Sequence, residues 1–398
     1  MTTKPTYTPA IRFPDFLNDG EWEVKRLGEI AESFTGLTYS PEQVVENGGT
    51  LVLRSSNIKN GVLSFEDNVY VQMDIPERAI THIGDLLICV RNGSKNLIGK
   101  SAVITKEAEN TAFGAFMTVL RAKEGTDQEF LNFLWQSDMI QNQILRNFGS
   151  TINQITSKDL NGYKVIVPPL AEQRRIAACL SALDEMLAAT NGKLEQLKAY
   201  KKGLMQKLFP AKGKKLPKLR FKEFEKDGEW EEKKLATIVH QITTGKLDAN
   251  AMVSNGEYRF YTCAKDYAFI NEYAFDTEAL LISGNGAHLG YIHYYKGKFN
   301  AYQRTYVLSD FQCDIFYLKY YLESFLPDRI NKEKKEGNTP YIVLSTLTEM
   351  DISLPSNFEQ HKIADCLTSI DEMINQYTNK VTFLGQYKKG LMQRMFPQ

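Results

Sequence analysis

The sequence predicts an α+β protein: two globular domains separated by two long helices that form an antiparallel coiled coil, built as a pseudo-two-fold internal repeat. Three observations predict this class. Ala171–Pro210 lies over Phe358–Pro397 without a gap at an offset of 187, and half of the aligned positions are identical. A second pair, "IRFPDFLNDGEWEVKRL" from Ile11 and "LRFKEFEKDGEWEEKKL" from Leu219, matches at an offset of 208. Within the first repeat, apolar residues recur at alternating spacings of four and three, the 3.5-residue period of a coiled-coil seam. The chain therefore reads A–B–A′–B′, with parts at 1–170, 171–210, 211–357 and 358–398.

The first A part reads as mixed α and β. "LVLRSSNIKNGVL", Leu51–Leu63, is a strand, a polar turn and the start of a second strand. "GDLLICVRNGS", Gly84–Ser94, is a buried strand running into an Arg-Asn-Gly turn,. The segment "AFGAFMTVLRA" follows as a further strand, and Asp127 heads "DQEFLNFLWQS" as the cap of a helix,.

The B segments come next. In the first, Ile176, Leu180, Leu183, Leu187, Thr190, Leu194, Leu197, Lys201, Leu204 and Leu208 form the seam. In the second it is Ile363, Leu367, Ile370, Ile374, Tyr377, Val381, Leu384, Lys388, Leu391 and Met395. Each helix would run roughly 50–57 Å at about 1.5 Å per residue. A single apolar stripe needs a partner, and each helix is the other's nearest candidate; the alternative is two amphipathic helices that each pack on their own domain. Periodicity does not decide orientation. The short tether "AKGKKLPK", Ala211–Lys218, favours an antiparallel pair,. Both helices end in one phrase, "YKKGLMQKLFP" and "YKKGLMQRMFP", whose Phe-Pro stops a helix,.

The A′ part shares the frame of A but differs in its middle. "EALLISGNGAH", Glu278–His288, matches the earlier buried strand and turn, and "AYQRTYVLSD" matches the strand that follows. Asp314 heads the helix "DIFYLKYYLES" at offset 187, so the 21 residues lost in A′ lie before it. Near-duplicate B parts beside divergent A parts imply two different readers on one chassis.

Composition limits the function classes. The chain has 398 residues, 43% hydrophobic, enough for two or three cored domains,. No apolar run reaches membrane length, and "MTTKPTYTPA" does not read as a signal peptide,. Five scattered cysteines, Cys89, Cys179, Cys263, Cys313 and Cys366, suit neither a disulfide framework nor a zinc knuckle, so a reduced cytoplasmic protein is expected,. The 48 acidic and 48 basic residues cancel, but Lys198–Lys222 holds ten Lys or Arg and no acid. That run is either a solvated linker flank or a surface facing phosphates.

Catalytic patterns are not expected. "GSKNLIGKS", Gly93–Ser101, encloses five residues where a phosphate loop needs four,. There is no Asn-Pro-Pro-Tyr and no glycine-rich cofactor motif. His82, His240, His288, His293 and His361 do not fall at metal-ligand spacing, so neither a metal nor a catalytic set is assigned.

"GEWEVKRLGEIAESFTG", "PPLAEQRRIAACLSALDEML" and the tandem plan resemble the specificity (S) subunit of type I restriction–modification enzymes over essentially the whole chain. Pro168, Glu172, Gln173, Ile176 and Ala177 carry the family's pattern before the long helix. The second copy, "LPSNFEQHKIADCL", departs from it at Asn357-Phe358. The resemblance implies two target recognition domains, each reading half of a bipartite, asymmetric site in double-stranded DNA. It implies conserved helices that set the spacing and dock two methyltransferase (M) subunits, joined by restriction (R) subunits. This chain would be a non-catalytic subunit without cofactors: S-adenosylmethionine belongs to M, and ATP and magnesium to R. The alternative is a coiled-coil scaffold with two protein-binding domains.

The polar turns supply the DNA-contact candidates, since Arg, Lys, Asn, Gln and Ser read base edges and phosphates. In the first domain these are Arg54, Ser55, Asn57, Lys59, Arg91, Asn92, Ser94, Lys95, Thr151 and Asn153. In the second they are Lys265, Asn285, His288, Gln303, Arg304, Asn338 and Tyr341. Gly203, Met205, Gly390 and Met392 fall off the seam and are expected to dock M, with glycine leaving backbone bare.

Overall fold

The computed structural model describes residues 7–147, 154–333 and 341–397. The chain forms two compact units, one from residues 1–190 with 380–398 and one from 191–379. This division differs from the four parts above, because each unit takes a portion of both long helices. Those helices are Leu170–Leu208 and Asn357–Met395, 39 residues each.

In the first unit, a four-stranded antiparallel sheet runs in the order Ala31–Thr35, Met117–Ala122, Leu86–Cys89, Ser101–Val103. Apolar runs such as Leu86–Cys89 are buried on both faces, which is why they read as continuous rather than alternating,. The helix Gln128–Gln136 covers this sheet, and Asp127 caps it by accepting from the Phe130 amide at 2.9 Å,. A second small sheet orders Ala112–Phe113, Thr50–Leu53, Tyr70–Val71 and Val44–Val45. Glu23–Arg26 pairs with Lys164–Val167 just before the long helix begins.

The second unit repeats this frame in one larger sheet. Its six strands run Val239–Thr244, Thr305–Phe311, Phe275–Ser283, Ile292–Ala301, Tyr258–Tyr261, Ala268–Ile270. The helix Ile315–Glu333 packs on it, capped by Asp314 through the Tyr317 amide at 2.8 Å. Glu231–Lys234 pairs with Asp351–Leu354, as in the first unit. Gly36 and Gly245 mark one shared constraint. A Cβ there would stand 2.2 Å from the Gly114 carbonyl oxygen and 1.8 Å from that of Ala301, so only glycine lets the strand turn pass,.

Each long helix is fixed at its start by a Glu-Gln pair. Glu172 accepts from Nε and Nη2 of Arg12, at 2.8 and 2.7 Å, and from the Trp22 indole N–H at 3.2 Å. The Arg12 and Glu172 side chains are only 4% and 1% exposed. Gln173 donates to the Pro168 carbonyl and accepts from the Asp127 amide, both at 2.9 Å. The second unit repeats this with Arg220 on Glu359, at 2.8 Å twice, and with Gln360 joining Pro355 and Asp314.

Within each unit the two helix segments run antiparallel. In the first, Lys388 meets Asp184 at 2.6 and 2.7 Å, while Met395 and Phe396 join Ile176, Ala177 and Leu180 in the core. In the second, Lys201 meets Asp371 at 2.7 and 2.8 Å, while Leu208 and Phe209 join Ile363, Ala364 and Leu367. The seam residues Ile176, Leu180, Leu183, Leu187, Leu194, Leu197, Leu204 and Leu208 are all buried or half-buried. So are Ile363, Leu367, Ile370, Ile374, Val381, Leu384, Leu391 and Met395. The Phe-Pro endings do more than stop a helix. Phe209 packs edge-on against Tyr317 and Tyr321 at 5.6 Å, and Phe396 lies 5.7 Å from Phe130. Among the described residues, no helix is long and apolar enough to cross a membrane.

Two stability outcomes follow from this geometry. Glu172→Gln strands the buried Arg12 charge and should cost about 3–5 kcal/mol. Replacing Arg12 and Glu172 together by Met and Leu should recover most of that loss. Urea denaturation with hydrogen exchange of residues 7–26 measures both. Phe396→Ala should cost about 3–5 kcal/mol by opening a cavity against Phe130, with the loss of protection confined to the first unit.

Candidate nucleic-acid interface

Each unit carries an open groove at the same end of its shared strands. Backbone hydrogen bonds fix the equivalence. In the first unit the Val90 amide donates to the Phe116 carbonyl at 3.0 Å, and the Ile155 amide to that of Val90 at 2.8 Å. In the second, the Gly284 amide donates to the Arg304 carbonyl and the Ile342 amide to that of Gly284, both at 2.9 Å. The loop after the buried strand and the turn before its neighbour therefore flank each groove.

The first groove, about 560 Å3, is lined by Tyr39, Arg54, Ser55, Ser56, Asp67 and Phe116 among others. Arg54 is tethered by an ion pair to Asp67 at 2.9 Å, and Ser55 accepts from the Asn92 amide group at 3.1 Å. Arg91 is exposed and lies over the Phe116 ring, 5.1 Å from its centroid. So Arg54, Ser55, Arg91 and Asn92 gather around one site. Ser94 and Lys95 are exposed on the adjoining loop, where the Ser94 amide donates to Asn92 Oδ1. Lys59 is exposed and ion-paired with Glu66.

Asn57 requires a correction. Its side chain is fully buried: Oδ1 accepts from the Arg54 amide at 2.9 Å, and Nδ2 serves Ser64, Asp67 and Asn68 at 3.0–3.2 Å. It shapes the turn that presents Arg54 and has no surface to offer DNA. Thr151, Asn153 and Asn338 lie outside the described residues.

The second groove, about 730 Å3, is lined by Asn285, Gln303, Arg304, Tyr306, Tyr341 and Ile342, with Thr244 at its edge. Four sequence candidates thus meet there: Asn285, Gln303, Arg304 and Tyr341. Tyr306 donates to the Ile342 carbonyl at 3.0 Å, and burial pushes its phenol pKa up. Lys265 is exposed and His288 half-buried, but neither lines the groove. His293 is instead held by the Ala264 carbonyl at 2.9 Å, and burial lowers its pKa. Tyr267 and Phe269 are exposed on this unit with ring centroids 5.5 Å apart, and the Arg259 guanidinium lies 4.2 Å from the Tyr267 ring centroid.

Sequence reasoning missed Phe116, Tyr39 and Ser56. Phe116 was absorbed into a strand, but the strand starts at Met117 and leaves the ring 55% exposed. The phase of "FGAFMTVLRA" places Phe116 and Thr118 on one face, and the preceding Gly114-Ala115 was the available signal for a turn,.

The repeated "KKGLMQ" phrase lines a groove in each unit. In the second unit the space is about 710 Å3 and includes Lys198, Lys202, Met205, Gln206, Glu323 and Asp328. In the first it is about 230 Å3, with Lys389, Met392, Gln393, Gln136 and Asp138 among its walls. A Cβ on Gly203 or Gly390 would meet nothing within 4 Å. Met205 and Met392 are half-buried against the cores, so packing accounts for part of them, which their off-seam positions did not suggest. Among the described residues, no cluster of three or more metal-ligating side chains occurs.

Comparison with known proteins places these features in a lineage. The family described as "Type I restriction modification DNA specificity domain" matches residues 19–199 and 227–382, once in each half. The EcoDI specificity subunit of Escherichia coli is 35% identical over 165 residues, 42% of this chain and 36% of that protein. The MjaVIII specificity subunit of Methanocaldococcus jannaschii is 24% identical over an aligned 413 residues, 94% of this chain and 91% of that protein. The chain spans less than half the length of the first curated relatives it matches. In fold, the S subunit of a type I restriction-modification system from M. genitalium superposes with a TM-score of 0.66 at 19% identity, covering 98% of this chain and 99% of that one. With both halves matched and the duplicated frame in view, the chain belongs to the type I restriction modification DNA specificity domain family.

Proposed function

We propose that this chain is the DNA-recognition subunit of a type I restriction–modification complex, each unit reading one half of a bipartite asymmetric site. One observation carries the reading: equivalent grooves open at the same strand ends of a duplicated frame, yet their linings differ. A duplicated frame with identical linings would suit a palindrome. Different linings suit two unlike half-sites. Arg, Asn, Gln and Ser around both grooves have the donors and acceptors that base edges require. Lys95 and Lys265 are exposed, which suits contact with phosphates. In this reading the chain does no chemistry. Adenine methylation with S-adenosylmethionine falls to two M subunits, ATP-driven restriction with magnesium falls to R subunits, and the long helices fix the length of the unread spacer.

Docking of M is assigned to the repeated phrase. Two grooves lined by the same lysine, methionine and glutamine at corresponding positions suit two copies of one partner. Gly203 and Gly390, with open space where a Cβ would stand, let a partner approach the backbone,.

Mapping methylated adenines in cells that carry this chain with its M partner tests the reading. A split, asymmetric motif is expected, and a short continuous palindrome would contradict it. If no site-specific duplex binding occurs with M present, the scaffold alternative stands instead. For docking, Gly203→Leu with Gly390→Leu should weaken M association by at least about tenfold, equivalent to about 1.4 kcal/mol. Unchanged assembly of two M subunits, measured by analytical ultracentrifugation, would remove the phrase from the interface.

A further inference from the structure

The two grooves share a frame but exchange their side chains at equivalent positions. Met117 opposes Cys89 in the first unit, and Thr305 opposes Ser283 in the second. One residue before each strand, Phe116 is therefore the counterpart of Arg304. Two residues beyond the other strand, Arg91 is the counterpart of Asn285. The first unit presents a ring on its turn and a cation on its loop; the second presents a cation on its turn and an amide on its loop.

The electrostatic settings differ as well. In the first groove, Arg54 is neutralised by Asp67, and Arg91 spends its face on the Phe116 ring. In the second, among the described residues, no acidic residue lines the groove and the Arg304 guanidinium has no hydrogen-bond or ion-pair partner. Its backbone, by contrast, is fixed. The Arg304 carbonyl accepts from the Gly284 amide at 2.9 Å and from Cys263 Sγ at 3.5 Å, and the neighbouring Gln303 amide donates to Leu247 at 2.9 Å. An unpaired fork on an anchored turn is preorganised for a planar pair of acceptors, because little backbone order remains to be imposed on binding.

We propose that Arg304 reads a guanine in the half-site of the second unit, donating two N–H groups to guanine O6 and N7. Phe116 fills the equivalent place in the first unit and contacts a thymine methyl instead. Arg is the side chain whose fork matches the guanine edge, and an exposed ring matches only the apolar methyl among major-groove features. This inference rests on the recognition function proposed above.

The test compares the methylated motif of the wild-type chain with those of Arg304→Ala and Phe116→Ala, each expressed with its M partner. Arg304→Ala should make one guanine position degenerate, lowering its preference about tenfold or more, and leave the other half-site unchanged. Phe116→Ala should relax a thymine in that other half. An Arg304→Ala motif that keeps every base, or relaxes a base other than guanine, overturns the proposal while the split wild-type motif still supports the general function. A wild-type chain with no split motif sinks the function itself. Should either variant lose methylation altogether, binding of the wild-type complex to duplexes with 7-deazaguanine, which lacks the N7 acceptor, decides for Arg304. One substituted guanine should weaken binding about tenfold; no effect at any guanine refutes it. Uracil in place of thymine, which deletes the methyl, decides for Phe116 in the same way.

Discussion

A buried carboxylate at the start of each long helix holds the rest of its unit in place. Glu172 and Glu359 each receive a bidentate guanidinium from a segment far upstream in sequence, and the side chains of both pairs are almost fully buried. Burying such a charge is costly unless its hydrogen bonds are met. Glu172 meets the requirement with Arg12 and Trp22 together. The neighbouring glutamine then joins the residue that caps the sheet-covering helix to the proline before the long helix. Two adjacent side chains thus fix the direction in which the helix leaves the globular part. That explains why Glu-Gln recurs in both copies while the middles of the A parts are free to diverge.

The seam shows a second use of charge. Lys201 and Lys388 place a charge in a stripe that is mostly apolar, and the seam alone gives no reason for either. Each meets an aspartate of the repeated Asp-Glu-Met triplet on the other helix. A polar residue at a seam position costs stability but penalises a slipped or reversed pairing, where the charge would go unmet. The repeat supplies lysine and aspartate in both copies, so one sequence element provides both halves of the lock. The helices can then be held in one register without a wider apolar face.

Much of this was legible in the sequence because duplication is a strong signal. The A–B–A′–B′ order, the capping aspartates and the seam period are all local patterns with fixed offsets. What stayed hidden depends on residues far apart in the chain. Arg12 and Glu172 are 160 positions apart, and nothing in either segment names the other. Asn57 looked like a turn residue with a free amide, because the Ser64, Asp67 and Asn68 acceptors that consume it come from a later segment folding over it. Phe116 was hidden because its segment reads as one strand, whereas it stands on the turn before the strand. Of the seventeen DNA-contact candidates, those nearest the two strand ends were brought together. Lys265 and His288 do not line the groove, since polar composition marks a turn but not its direction.

The central claim is that one duplicated frame presents two separate readers. Hydroxyl-radical footprinting of the chain with the M subunit proposed for it, on a duplex carrying the methylated motif, tests it most directly. The account predicts two protected tracts flanking an unprotected spacer. A single continuous tract would contradict it.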